Sequence, residues 1–259
     1  MDIIVCIKQV PDTKDVRIDP ETNTMAREGV ESIMNPFDRH ALEEAVRIKE
    51  EKGGTVIALS MGPPQAEAVL REAISCGADE GVLVSDRAFA GADTWATSYT
   101  LARAITTLGS FDLILCGKQA IDGDTAQVGP GLATQLSLPY VTCVQKIRTI
   151  GDSGLVLERM MDDGYDVVQL PLPALLTVVK DINEPRVPSL KGKMRAKKAE
   201  FRVMRAADIR ADERYIGLAG SPTKVVSVFT PKPRGNRTVF SGTPAEQVDQ
   251  LFAQLKGLL

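Results

Sequence analysis

Short apolar runs rich in β-branched residues alternate with helical patterns through the first half of the chain, and this alternation restricts the fold more than any other feature. The runs lie at 2–8, with IVCIK at their centre, and at 55–60 (TVIALS), 81–84 (GVLV) and 112–116 (DLILC). They are apolar throughout, as a strand buried on both faces of a parallel sheet requires. Between them, PFDRHALEEAVRIKEEKG (36–53), PQAEAVLREAISCG (64–77) and DTWATSYTLARAITTLG (93–109) read as helices, each closed by a glycine stop. Strand-helix-strand units of this size imply a parallel sheet with helices on both faces, an α/β doubly wound architecture.

Three stretches break the rhythm. VRIDPETNTMAREGV at 16–30 reads as a surface hairpin around a Pro-Glu-Thr-Asn turn. After a helix at about 126–136, four strand-like segments, YVTCVQKIRTI, GLVLERMM, YDVVQL and ALLTVVK, separated by turns, predict an antiparallel extension. From Asn183 the chain is proline-containing and basic, then loses periodicity, which predicts an excursion from the core. The last stretch, TPAEQVDQLFAQLKGLL, starts at a Thr cap and carries apolar residues at 248, 251, 252 and 255, a stripe that should dock on something. The expected organisation is a main α/β domain over 1–182 and a recognition loop with a C-terminal arm and helix over 183–259.

Composition excludes several classes. With 44% hydrophobic residues the chain can bury a core, and a net charge of -3 is wrong for a general nucleic-acid binder. Cys6, Cys76, Cys116 and Cys143 are scattered without a C-x-x-C pair, and His40 is the only histidine, so neither a metal site nor a Ser-His-Asp triad is expected. MDIIVCIKQV lacks the features of a signal peptide, and no uncharged apolar stretch reaches about 18 residues, so a cytoplasmic protein without a membrane span is expected.

In a parallel sheet, ligands sit at the carboxyl ends of the strands, here the exits at Lys8-Gln9-Val10, Met61-Gly62-Pro63 and Gly117-Lys118. The most informative loop is GKQAIDGDTAQVGP, 117–130, a glycine-flanked turn with polar residues ahead of a helix. It reads equally as a phosphate cradle of free backbone N–H groups and as a capping loop with Asp124 or Thr125 as N-cap. GADTWATS at 91–98 places Asp93 or Thr94 at another helix start, with Thr97 one turn on. By itself it reads as a capped helix with Trp95 as packing. Asn35-Pro36-Phe37 reads as an N-cap followed by proline at the first helical position, and KGKMRAKK at 191–198 as a solvated charged face.

Taken in order, VCIKQVPDT, NPFDRHALEEA, MGPP, GKQAIDGDTAQVGP, NEPR and KMRAKK resemble the beta subunit of electron-transfer flavoproteins over nearly the whole chain. The resemblance implies a Rossmann-like nucleotide-binding domain, an alpha-subunit partner in a heterodimer, and a loop after NEPR that recognises acyl-CoA dehydrogenases through a leucine, here Leu190, beside a cationic run that includes Lys197. DGDTAQVGP, GADTWATS, VRIDPETNT and AGSPTKV lean toward members in which FAD replaces structural AMP, takes electrons from NADH and bifurcates them to an acyl-CoA dehydrogenase and a ferredoxin or flavodoxin. Gly123 and Val128, in place of bulkier polar residues, leave room for the longer dinucleotide.

The resemblance puts the adenosine end at Cys6, Asn35 and Met61. The diphosphate falls at Gly117, along Asp122, Gly123, Asp124, Thr125, Ala126, Gln127 and Val128, and at the helix start of Asp93, Thr94 and Thr97, with Lys118, Gln119, Ala120 and Ile121 also in the cofactor site. No side chain is expected to act as acid, base or nucleophile, because the flavin carries the chemistry. The alternative is a non-bifurcating carrier with structural AMP, passing electrons from acyl-CoA dehydrogenases to a quinone reductase. An ATP-hydrolysing protein on a similar fold is a third reading, against which stands the absence of an S-G-G-x-D loop after the first strand.

Overall fold

The structure, a computed structural model, describes residues 1–12, 32–151, 153–227 and 238–257, and the backbone alone at 17–18 and 25–26. Its centre is a nine-stranded sheet. Strands β1 (Ile3–Cys6), β6 (Val56–Met61), β7 (Glu80–Val84) and β8 (Leu113–Gly117) are the four apolar runs of the first half. With β9 (Tyr140–Gly151), β10 (Gly154–Met160), β11 (Tyr165–Leu170), β12 (Ala174–Val178) and β13 (Arg202–Met204) they form the order β11-β10-β9-β12-β8-β1-β6-β7-β13. All neighbours from β9 through β13 in that order run parallel.

Burial on both faces explains the unbroken apolar runs. Along β1, Ile3 and Val5 enter one core with α1 (Pro36–Lys52) and α2 (Glu67–Cys76). Ile4, one residue out of phase, enters a second core with α3 (Thr94–Leu108) and α4 (Val128–Gln135). The helices stop where glycine adopts a positive φ: Gly53 at +75°, Gly77 at +125° and Gly109 at +105° follow α1, α2 and α3.

Two expectations need correction. ALLTVVK is not part of the antiparallel extension: β12 lies between β8 and β9 and is parallel to both, with all five of its residues buried. Within the nine-stranded sheet the antiparallel pairs are β9 with β10 and β10 with β11. An apolar run specifies burial but not direction, and the return from β11 to β12 sets the direction here. The segment from Asn183 is not irregular throughout either, since Leu190–Lys198 form α5, capped by Ser189, whose hydroxyl accepts the Gly192 N–H at 3.0 Å. Its prolines, Pro185 and Pro188, precede the helix and leave it intact. Beyond α5, β13 pairs with β7 and extends the sheet.

The hairpin survives in part. β2 (Gln9–Pro11) pairs with β5 (Ser32–Met34), and β3 (Arg17–Ile18) with β4 (Met25–Ala26), while its turn lies outside the described residues. The C-terminal stripe does form a helix, α6 (Pro244–Leu255), closed by a Thr243–Glu246 capping box. Val248, Leu251, Phe252 and Leu255 are all exposed. Among the described residues no helix is long and apolar enough to cross a membrane.

Candidate functional site

The sheet order contains a reversal. From β1 the chain steps to β6 and β7 on one side, then crosses back to place β8 on the other. The carboxyl ends of β1 and β8 are therefore the topological switch point, where the crossover helices diverge and leave a crevice. Cys6 and Cys116 are register partners at that edge, and Met61 ends β6 alongside. Beside Met61, Ser60 is fully buried and its hydroxyl has no hydrogen-bond partner.

Long-range hydrogen bonds gather the expected site residues here. Asn35 occupies the N-cap of α1 yet caps nothing with its side chain. At 1% exposure it reaches across to the β8 loop, donating Nδ2 to Gln119 O at 2.8 Å and accepting Ile121 N–H on Oδ1 at 3.2 Å. The helix-start reading of Asn35-Pro36 is thus incomplete, because its amide organises a loop more than 80 residues away in sequence. Lys118 N–H is held by Val178 O at 2.8 Å, and the Lys8 ammonium pairs with Asp122 at 2.7 Å, closing the loop over the β1 exit. Asp38 accepts the Lys8 N–H at 2.8 Å from beneath. At Gly117 an added Cβ would meet Asp38 Oδ1 at 2.3 Å and the Phe37 carbonyl carbon at 2.7 Å, so only glycine lets α1 and β8 approach this closely.

Further along, the loop is strained in two places, and neither is the glycine. Gly123 has no positive φ and open space around it. The left-handed positions are Asp124 (φ +52°) and Ala126 (φ +53°), the second with no polar side chain to favour that conformation. Asp124 is held by its N–H to Ala120 O at 2.8 Å and by the Gln119 side chain. Neither Asp124 nor Thr125 caps the following helix. The N-cap of α4 is Gln127, itself in the right-handed helical region, and it makes no side-chain cap. Val128, expected to widen the site, packs against the second core.

The start of α3 is the opposite case. Asp93 accepts Trp95 N–H and Ala96 N–H on Oδ1, both at 3.0 Å, and Thr223 N–H and hydroxyl on Oδ2 at 2.9 and 2.7 Å. Burial acts to raise its pKa, but the bonds from Ala96, Thr223 and Trp95 outweigh that and hold the carboxyl below its ordinary value. Thr94 donates its hydroxyl to Gln127 Oε1 at 2.8 Å, joining the two helix starts, while Thr97 stands half-buried one turn further on. Trp95 is exposed rather than packed.

The residues expected to recognise a partner lie elsewhere. Asn183 donates to His40 O at 3.0 Å and to Glu44 at 2.9 Å, and Arg186 pairs with Glu43 at 2.8 Å and Glu50 at 2.6 Å, so the NEPR motif is an anchor on α1. Beyond it Leu190 is 78% exposed and Lys197 is exposed on α5. A groove of about 470 Å³ separates this segment from the end of α2, lined by Cys76, Val187, Met194, Arg195 and Lys198 among others.

Sequence reasoning placed Lys8 at a strand exit without its ion pair to Asp122, and did not single out Asp38 or Thr223. The only signal for Asp38 was an acidic residue in the first helical turn, where it also complements the helix dipole.

The mostly parallel sheet with helices on both faces and a reversal at β1 and β8 defines a doubly wound α/β domain, a class in which ligands sit at the carboxyl ends of the strands. Residues 22–209 match the electron transfer flavoprotein domain family. The chain is 52% identical over 256 residues to the electron transfer flavoprotein subunit beta of Thermoanaerobacterium thermosaccharolyticum, covering 98% of both chains. It is 50% identical over 258 residues to the caffeyl-CoA reductase-Etf complex subunit CarD of Acetobacterium woodii, covering 99% of this chain and 98% of the relative. It is also 44% identical over 263 residues to the acryloyl-CoA reductase electron transfer subunit gamma of Anaerotignum propionicum, covering 98% of each. The chain belongs to the electron-transfer flavoprotein family as a beta subunit, and that role implies an alpha-subunit partner.

Proposed function

We propose that this beta subunit, with its alpha subunit, binds FAD in the switch-point crevice and passes electrons from NADH, bifurcating them between an acyl-CoA dehydrogenase and a ferredoxin or flavodoxin. The observation that carries the reading is the uncapped start of α4 beside Thr94 and Gln127. Its first amides have no side-chain acceptor and suit a diphosphate, and the Thr94–Gln127 bond brings a second set of polar groups within the same mouth. The unpaired Ser60 hydroxyl at the neighbouring strand end fits a polar ligand as well. Adenosine would meet the edge formed by Cys6, Asn35 and Met61, where Asn35 keeps the loop fixed. The similarity to CarD, named as a subunit of a caffeyl-CoA reductase-Etf complex, supports the dehydrogenase partner.

Bound FAD would supply the electron-accepting chemistry, while the chain's part is to bind, orient and exclude water. One observation favours the shorter ligand, AMP. Asp93 already saturates the start of α3, which leaves less for an extended dinucleotide to bind there. The two readings separate on cofactor count in the purified alpha-beta pair: two flavins per heterodimer supports bifurcation, and one flavin with one AMP overturns it in favour of the quinone-reductase carrier.

For the dehydrogenase, an exposed leucine held on an anchored segment suits a partner pocket, where its burial contributes roughly 1.5 to 3 kcal/mol. Leu190→Ala should leave flavin content and Tm unchanged and slow electron delivery to an acyl-CoA dehydrogenase about tenfold or more. Lys197→Ala should give a milder, salt-sensitive loss. A Leu190→Ala protein that melts several degrees lower and reduces its partner at the normal rate would show the residue to be structural.

A further inference from the structure

The two strand exits that bound the crevice are joined from below by one carboxylate. Asp38 is buried, accepts the Lys8 N–H at the β1 exit at 2.8 Å, donates its own N–H to Asn35 O at 2.9 Å, and sets its Oδ1 against Gly117 at the β8 exit. It therefore touches the residues through which α1 holds the nucleotide loop, since Asn35 carries Gln119 and Ile121. Glycine at 117 is needed because Asp38 stands where a Cβ would be.

We propose that Asp38 is a positioning residue for the nucleotide, setting the separation of the β1 and β8 exits through its ionised carboxylate. The inference rests on the crevice being the nucleotide site. It concerns no direct ligand contact by Asp38.

As a carboxylate the group is acceptor-only and matches the donors around it; protonated, it presents an O–H toward N–H groups and loses part of that match. Burial raises its pKa to about 7, against the lowering effects of Asn35, Lys8 and Gly117, so the change falls near neutrality. The groups facing it are few. From β1 comes Lys8, tied in turn to Asp122, and from β8 comes Cys116, whose thiol is pushed up by its bond to Cys6, by burial and in part by Asp38 itself. None of these replaces Asp38 as a bridge.

If the ionised form holds the site open, nucleotide affinity rises with pH through about 7. A bare repulsion between Asp38 and an anionic ligand would give the reverse slope. The test is a titration of the alpha-beta pair, stripped of beta-site nucleotide, with FAD and with AMP from about pH 6 to about pH 8. Wild type should bind about tenfold more tightly at the upper end, and Asp38→Asn should bind with a flat profile near the low-pH value. A flat or falling wild-type profile overturns the inference and leaves the site assignment standing. Failure of wild type to bind either nucleotide overturns both. A rising slope that persists in Asp38→Asn moves the titration to another group and also overturns it. Should Asp38→Asn not fold, Asp38→Ser, which cannot ionise either, takes its place in the same titration, and a rising slope in that variant overturns the inference.

Discussion

The starts of α3 and α4 look alike in sequence, polar residues ahead of a helix at the edge of the same crevice, and the structure makes them opposites. At α3 the Asp93 carboxylate accepts four bonds, two from the helix and two from Thr223, and the end is satisfied within the chain. At α4 the N-cap residue is already helical, its side chain caps nothing, and the loop before it holds two left-handed non-glycine residues. A satisfied end contributes stability, whereas an unsatisfied end behind a strained loop is free to take an anion. The lesson is that a phosphate site is recognised less by the presence of polar residues than by the absence of an internal partner for the helix amides.

Substituting each end tests the contrast. Asp93→Ala should have the largest effect, a loss of about 2 kcal/mol in stability from the missing cap and the released Thr223. Nucleotide content should change little, and thermal melting alongside bound-nucleotide analysis would read both. If nucleotide is lost while Tm holds, α3 is the anion site and the contrast is inverted. Gln127→Glu keeps shape and the acceptor for Thr94 but adds a negative charge at the start of α4. It should lower nucleotide affinity by roughly tenfold, about 1.4 kcal/mol, and leave the apo chain as stable or slightly more so through the helix dipole. Unchanged affinity by calorimetry would remove α4 from the binding site. Thr94→Val should have the smallest effect, at most about 1 kcal/mol in affinity, since it deletes one hydrogen bond between the two ends and the bond from Ser98 to Val128 O remains. An effect larger than that of Gln127→Glu would mean the hydroxyl meets the ligand directly.

Much of this was legible beforehand. Unbroken β-branched runs such as IIVC and LILC report burial on both faces, glycine after each long helix reports its end, and alternation of the two reports parallel pairing. The convergence of the loops after β1, β6 and β8 follows from those facts alone. The remainder depended on neighbours distant in the chain. The ALLTV run carries its burial in its composition, but its parallel direction came from its place between β8 and β9. Asn35 reads as an N-cap from its local sequence, and only the fold brings Gln119 and Ile121 to its amide. Positive φ falls on Asp124 and Ala126 although Gly123 is the residue that local preference would choose, because the loop is tied at Asn35, Lys8 and Gln119 before it reaches α4. Asp38 was one acid among several in a helical pattern until β1 and β8 closed over it. Periodicity and capping preferences act over a few residues and so are written in the sequence. The long-range partners of Asn35, Asp38 and Asp93 lie between 30 and 130 positions away, and only the packed sheet decides which of them meet.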